Sequence, residues 1–464
     1  MGKKKMTRTP SLFADLEEEA PLPPEAKQAD QFASPDLLAP DPFAPVITLP
    51  PLRNNNQSAA ELLESLNGPQ QRAVTTTEGP VLILAGPGSG KTRVITHRIA
   101  YLITHAHVPP TAILAVTFTN KAAREMRSRL EDLVGVTDAG QMVLGTFHSL
   151  SARMLRRAPA AFLAELGLTA SFSILDDDDA LRVMKEAMRR MQHELTALSE
   201  NEEERAPGAL LDQISRLKND MIGPERLAQD ATSYREVVFA ALYRRYQQLL
   251  RIANSVDFDD LLVLAEYLLR SDSETRRRYQ QRWSYLHVDE FQDCNLPQYR
   301  LVRLLAAGTD AEPGGLGNVC VVGDDDQMIY TWRGASIENI QRFERDFPQA
   351  TTVVLEQNYR STKTILAAAQ ALVAPIAGRY PKQLWTHNDA GCALRLVTAR
   401  DEEAEARFLA QELLRLHADG ASWEQMAVLY RTNAQSRAIE EALLRAAIPY
   451  AVTGSRSFCQ IPQP

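Results

Sequence analysis

Two short runs hold the residues best suited to chemistry. The first, Ala85-Gly86-Pro87-Gly88-Ser89-Gly90-Lys91-Thr92, sits between an apolar run and a helical stretch. It fits the spacing G-x-x-x-x-G-K-[ST], with alanine keeping the small side chain of the first glycine. Glycines let successive backbone N–H groups turn inward around phosphate oxygens. A helix opening at the end of the loop adds partial positive charge. Lys91 then reaches β- and γ-phosphates, and Thr92 offers its hydroxyl to Mg²⁺. The second run, Tyr285-Leu286-His287-Val288-Asp289-Glu290, is an apolar strand ending in two carboxylates. Asp289 suits Mg²⁺ as an oxygen ligand, and Glu290 suits the polarising of an attacking water. Such a pair alone is usually a solvated strand end. Beside a phosphate loop in the same sheet it becomes a hydrolytic site, because metal and water must meet at one strand edge.

A third group follows the apolar run Val319–Gly323. The amide of Gln327 can contact both a γ-phosphate and the attacking water, so it can report nucleotide state. Tyr330 and Trp332 offer flat faces for base stacking, worth about 1–3 kcal/mol per base. A sensor a few residues from a stacking ring would couple hydrolysis to grip on a strand. A core position is the competing reading for Trp332, and for Phe118 and Phe147, which follow apolar runs. Thr119, Asn120 and His148 suit phosphate contacts, which position a strand without reading its sequence.

The elements that must hold these groups alternate. Short apolar runs at Val81–Ala85, Ile113–Phe118, Met142–Thr146, Tyr285–Val288 and Val319–Gly323 read as buried strands, with helical stretches from Lys91 and Lys121. That rhythm predicts a mostly parallel sheet covered on both faces. Strands vanish over 176–255, where Leu181, Met184, Lys185 and Met188 follow helical spacing. The expected organisation is a tail at 1–57, a first α/β domain at 58–175 and 256–352, a helical insertion at 176–255, and a second α/β domain from 353 to 464. In that last part Val353–Leu355, Leu394–Val397 and Met426–Tyr430 read as strands, with helices from Thr362, Glu402 and Ser436.

Composition narrows the class further. The chain has 464 residues, enough for two or three domains. No apolar stretch of about 18 residues occurs, so no membrane span is expected. The four cysteines are scattered without a C-x-x-C pair, which argues against zinc or a disulfide framework and fits a reducing cytoplasm. Net charge is −8, so binding of nucleic acid would rest on local groups rather than on a basic surplus. Residues 1–57, rich in Pro, Ala, Asp and Glu, read as a disordered acidic tail.

From about Leu66 to Gly454 the chain resembles the UvrD/PcrA/Rep family of superfamily 1 DNA helicases, with motifs in family order. Leu66-Asn67-Gly68-Pro69-Gln70-Gln71 looks like its adenine-reading motif. Thr117-Phe118-Thr119-Asn120-Lys121-Ala122-Ala123 and Gly145-Thr146-Phe147-His148-Ser149 look like its DNA-contacting motifs. Val288-Asp289-Glu290-Phe291-Gln292-Asp293 matches its acidic motif, and Gly323-Asp324-Asp325-Asp326-Gln327 with Ile329-Tyr330-Thr331-Trp332-Arg333-Gly334 its coupling motif. Leu355-Glu356-Gln357-Asn358-Tyr359-Arg360-Ser361 and Leu429-Tyr430-Arg431-Thr432-Asn433-Ala434-Gln435-Ser436-Arg437 are further signatures. The resemblance implies a RecA-like P-loop domain with a helical insertion, then a partial second RecA-like domain. It implies ATP and Mg²⁺ as cofactors, Gln70 on the adenine, and Tyr359 and Arg93 sandwiching that base. Arg360 would act as an arginine finger, reaching the γ-phosphate from the second domain when the two domains close.

The family continues past the position of Pro464 with a further helical insertion and more motifs, so the chain reads as its N-terminal portion. The expected function is a 3′→5′ ATP-dependent DNA helicase acting on single-stranded DNA and duplex junctions in DNA repair, with repair or replication proteins as partners of the tail. The competing readings are a non-catalytic ATP- and DNA-binding fragment and the motor subunit of a helicase–nuclease.

Overall fold

The computed structural model describes residues 59–192, 206–329, 334 and 338–452. The 1–57 tail lies outside them. The chain divides into two compact units, Met1–Ala390 and Gly391–Pro464.

The first unit is built on β1 (Val81–Ala85), β2 (Ile113–Thr117), β3 (Val143–Thr146), β6 (Tyr285–Val288), β7 (Val319–Gly323) and β8 (Thr351–Leu355). They form one sheet in the order β3-β2-β6-β7-β1-β8, and every ladder is parallel. This is the α/β, RecA-like architecture. The central strands are apolar apart from the buried His287 of β6, because both faces are covered. Leu82 and Leu84 of β1 and Leu114 and Val116 of β2 point into one core, with Phe147, Leu268 and Trp283. Val81, Ile83, Ile113 and Ala115 point into the other, with Ile95, Ile99 and Leu130. Period-2 alternation thus divides each strand between two hydrophobic layers.

Two short strands, β4 (Ser173–Ile174) and β5 (Ser255–Val256), pair in parallel and bring together the ends of the helical segment between them. Helices Asp177–Arg189, Pro207–Asn219 and Tyr234–Ile252 close around a core of their own, including Met184, Leu210, Ile214, Leu242 and Tyr246.

Thr351–Leu355, whose end was expected to open the second domain, joins the first sheet, in register from Val81↔Thr351 to Ala85↔Leu355. An apolar run does not encode its neighbour, and the open edge of β1 supplies one. In the second unit, Leu394–Val397 and Met426–Tyr430 belong to no ladder. Leu396 and Leu429 are 98% and 95% exposed. A strand is made by its partner's hydrogen bonds, and neither run has one among the described residues. What holds this unit is the packing of helix Glu402–Ala418 on Ser436–Arg445 through Ala406, Ala410, Ala442 and Leu443.

Candidate nucleotide and nucleic-acid site

The phosphate loop and the motif residues after β2, β3, β6, β7 and β8 follow the carboxyl ends of parallel strands, which deliver them to one edge, while Gln70 comes from helix Gly68–Thr75 ahead of β1. The loop from Gly86 to Gly90 leaves β1 and enters helix Lys91–Thr104. Gly88 has φ +64°, and a Cβ there would lie 2.7 Å from Cβ of Arg360, so both conformation and space demand glycine. β7 lies between β1 and β6. Lys91 reaches across it, and its ammonium sits 2.9 Å from Oε2 of Glu290. That contact lacks hydrogen-bond alignment, so the buried Lys91 Nζ has donors without an acceptor.

Glu290 has φ +50° and ψ +48°, a left-handed conformation that a non-glycine residue rarely adopts. The kink separates the two carboxylates that end the strand. Asp289 stays buried beside Thr92, whose Oγ1 lies 3.5 Å from Asp289 Oδ2. Burial first, then the Glu290 carboxylate, push Asp289 up to about 7, against the pull of Lys91. The same two causes raise Asp293 to about 6.

This donor set fits a hard divalent cation with a phosphate. It offers a hydroxyl and a carboxyl side by side, the carboxyl short of positive charge, next to a buried ammonium short of an acceptor. To take a cation near neutral pH, Asp289 must release its proton. Affinity for magnesium–nucleotide is therefore expected to fall by about tenfold per pH unit below the group's pKa, which stands at about 7. Calorimetric titration between about pH 8 and 5.5 checks this, and a flat profile would refute it. The sign for stability is opposite. The folded Asp289 holds its proton above the usual value of 3.8, so the cation-free fold loses stability as pH rises towards 7.

Gln292 ties the acidic motif to β7. Its Nε2 donates to Glu290 Oε2 at 2.9 Å, and its Oε1 accepts from the Asp324 amide at 2.9 Å. Asp324 Oδ2 in turn accepts from Gln327 Nε2 at 2.6 Å. Glu290 and Gln327 are thus two side chains apart in one hydrogen-bonded chain.

The segment after β8 lies against the phosphate loop. Asn358 Nδ2 donates to Pro87 O at 2.7 Å, and the Tyr359 amide donates to Gly88 O at 2.9 Å. Arg360 lies beside the phosphate loop within the first compact unit, because β8 is β1's neighbour and both strands release their chains at the same edge. Tyr359 OH accepts from Asn67 Nδ2 at 2.9 Å, joining the arm to the adenine-type motif. Gln70 is buried there. Its Oε1 accepts from the Asn67 amide at 3.0 Å, and its Nε2 donates to Ser89 O at 2.9 Å. In this structure Gln70 braces the phosphate loop. Arg93 is exposed on the first turn of the following helix.

The candidates for gripping a nucleic-acid strand follow the neighbouring β2 and β3. Thr119 caps helix Asn120–Val134, its Oγ1 accepting from Ala122 N at 3.1 Å, and Asn120 is exposed at that helix start. Phe118 is half-buried, whereas Phe147 is a core residue. His148 stacks on Phe258 with ring centroids 4.0 Å apart. Tyr330 and Trp332 lie outside the described residues.

Phe258 was missed by sequence reasoning, although it is 40% exposed. It opens helix Phe258–Ser271, and its neighbour Asp257 caps that helix. Asp257 also accepts from Lys218 at 2.5 Å and from Tyr246 OH at 3.0 Å, both on inserted helices. Nothing in the run Val256-Asp257-Phe258-Asp259 separates an exposed ring from a core one.

The family model described as the UvrD/REP helicase N-terminal domain matches residues 66–348, and the UvrD-like helicase C-terminal domain matches residues 353–461. The chain is similar to the ATP-dependent DNA helicase PcrA of Bacillus subtilis (strain 168), with 44% identity over 404 residues, 87% of this chain and 52% of that protein. It is 43% identical over 399 residues to the ATP-dependent DNA helicase PcrA of Staphylococcus epidermidis, covering 86% of this chain and 52% of that protein. The Staphylococcus aureus protein of the same name is also 43% identical, over 398 residues. The chain belongs to the UvrD/PcrA family of superfamily 1 helicases. It spans about half the length of the curated relatives it matches.

Proposed function

We propose that this chain carries the ATP-binding and strand-gripping machinery of an ATP-dependent DNA helicase. It couples ATP hydrolysis to 3′→5′ movement on single-stranded DNA and to duplex unwinding, in DNA repair. The observation that carries the proposal is the Lys91–Glu290 pair at 2.9 Å, formed across β7 between the phosphate loop and the acidic strand end.

Phosphate oxygens entering the loop compete for the Lys91 ammonium. Once Lys91 turns to them, the Glu290 carboxylate is free to accept a proton from water. The water oxygen bonds to the γ-phosphorus, the bond to the β,γ-bridging oxygen breaks, and ADP and phosphate leave. Thr92 and Asp289 would hold Mg²⁺, which supplies charge neutralisation at the phosphates. Gln327, linked to Glu290 through Asp324 and Gln292, senses whether the γ-phosphate is present. Arg360 stabilises charge on the transferred group, and Tyr359 with Arg93 brackets the adenine. Thr119, Asn120 and the His148–Phe258 stack hold the strand beside β2 and β3, with Tyr330 and Trp332 as further stacking faces.

The test is ATP turnover with and without single-stranded DNA, followed by strand displacement on a 3′-tailed duplex. Turnover raised by DNA supports the reading, and turnover indifferent to DNA overturns it. Phe258→Ala is expected to weaken single-stranded DNA binding by about 1–3 kcal/mol, the worth of one stacked base. Fluorescence anisotropy measures it, and unchanged affinity would remove Phe258 from the strand path.

A further inference from the structure

Three consecutive carboxylates follow β7, and they face a cation supplied by this chain. Asp324 is fully buried and Asp325 nearly so. The Lys382 ammonium, its side chain 0% exposed, lies 2.6 Å from Asp324 Oδ1 and 3.1 Å from Asp326 Oδ2, and also pairs with Asp325. It takes the position between the three carboxylates that a metal ion would need. Arg379 adds a two-pronged pair to Asp326, at 2.8 and 2.7 Å. The Tyr380 amide donates to Asp325 Oδ2 at 2.7 Å.

Residues 379–388 then cross the same sheet edge as a strap. The Gln383 amide donates to Glu356 Oε1 at 2.7 Å. Leu384 lies over Gly86 of the phosphate loop, so closely that a Cβ there would overlap it. The Trp385 amide donates to Glu356 O at 3.1 Å, and Trp385 O accepts from the Asn358 amide at 2.8 Å. Asn388 Nδ2 donates to Ser361 O at 3.0 Å. One strap thus touches the loop that carries Gln327, the phosphate loop, and the arm that carries Tyr359 and Arg360.

We propose that Lys382 is a positioning residue for Gln327. Its ammonium fixes one oxygen of Asp324 while the other oxygen holds the Gln327 amide, so the strap sets the sensor's position relative to the phosphate loop. The charge argument supports it. Three buried or half-buried carboxylates repel one another, and removing their shared cation displaces the turn they form. A side chain displaced by about 1 Å costs up to about 100-fold in a reaction that depends on alignment. Lys382 touches no reacting atom, and its effect on the sensor passes through Asp324. The inference rests on the nucleotide chemistry proposed above, so its test carries a readout that does not need turnover.

The experiment uses the full chain as wild type, Lys382→Met, Gln327→Ala and the double variant. ATP turnover with single-stranded DNA gives kcat and KM. Amide hydrogen exchange of residues 324–329 and 85–92 is followed with and without a non-hydrolysable ATP analogue. Lys382→Met is expected to lower kcat by about 10- to 100-fold with KM for ATP within about threefold. In the Gln327→Ala background it should cause no further loss, as expected of groups acting as one unit. Exchange should rise at 324–329 and stay unchanged at 85–92. A fully additive loss, or a loss confined to KM, overturns the proposal. Should the wild-type chain bind the analogue and not turn over, the motor reading fails. The positioning role is then decided by exchange alone: faster exchange at 324–329 sustains it, and unchanged exchange overturns it. Should Lys382→Met not fold, Lys382→Met with Asp324→Asn removes one buried charge and keeps an acceptor for Gln327. A lowered kcat or faster exchange at 324–329 in that variant supports the proposal, and wild-type behaviour overturns it.

Discussion

Replacing Glu290 by glutamine is expected to lower ATP turnover by about 10²–10⁴-fold, the usual contribution of a positioned general base, while nucleotide binding persists. Glutamine keeps the size of the side chain and an acceptor for Gln292 Nε2, which now lies 2.9 Å from Glu290 Oε2. It removes the group that would take the proton from water. It also removes a negative charge from the phosphate site, so affinity for ATP should hold or rise. A second effect follows from the same charge. Glu290 is the second cause, after burial, that holds Asp289 at about 7. Without it the Asp289 carboxyl ionises at lower pH, and the pH dependence of magnesium–nucleotide affinity should move in the acid direction. Steady-state turnover beside equilibrium binding of a non-hydrolysable analogue separates the two effects. Less than a tenfold loss of turnover would remove Glu290 from the base role.

Replacing Lys91 by alanine should cost as much in turnover and also weaken binding. The side chain of Lys91 is only 10% exposed, and its ammonium has no aligned acceptor. A buried cation in that state interacts strongly with an incoming phosphate, because burial lowers the dielectric between them. Loss of one preorganised donor of this kind costs on the order of 10²–10³-fold in rate. Asp289 and Glu290 also lose the cation beside them, so Asp289 should hold its proton to still higher pH. The contrast between the variants is the informative result. Lys91→Ala should lose affinity and rate together, and Glu290→Gln rate alone. Equal affinity in Lys91→Ala and wild type would show that the ammonium does not meet the phosphates.

Much of the site was legible because its chemistry is local. The phosphate loop needs glycines at fixed spacing, then a lysine and a hydroxyl on the next helix turn, and all of that is contiguous. The acidic strand end is contiguous too, and both runs fall at strand termini. Five of the strands read from apolar runs, Val81–Ala85 to Val319–Gly323, are strands of the sheet within a residue at either end. Their continuous apolarity follows from burial on both faces. Leu394–Val397 and Met426–Tyr430 have the same local character and form no strand, because a ladder is a property of two segments.

Pairing also decided what Arg360 lies beside. Nothing within Thr351–Leu355 specifies that β1 is its partner, yet that pairing moves Tyr359 and Arg360 to the edge of the phosphate loop. Lys382 was silent for a similar reason. A lone lysine in Tyr380-Pro381-Lys382-Gln383 reads as a solvated charge, and its three carboxylate partners lie more than fifty residues earlier. Phe258 carries no local signal of its own, and only the fold sets it beside His148. The sequence by itself determined which groups could bind phosphate, hold a divalent cation and activate water, because those requirements are met within single turns and strand ends. Only the tertiary structure decided which of them meet across β7, which strand β8 joins and which cation holds the carboxylates after β7, because hydrogen-bond ladders and buried ion pairs join residues that chain order keeps apart.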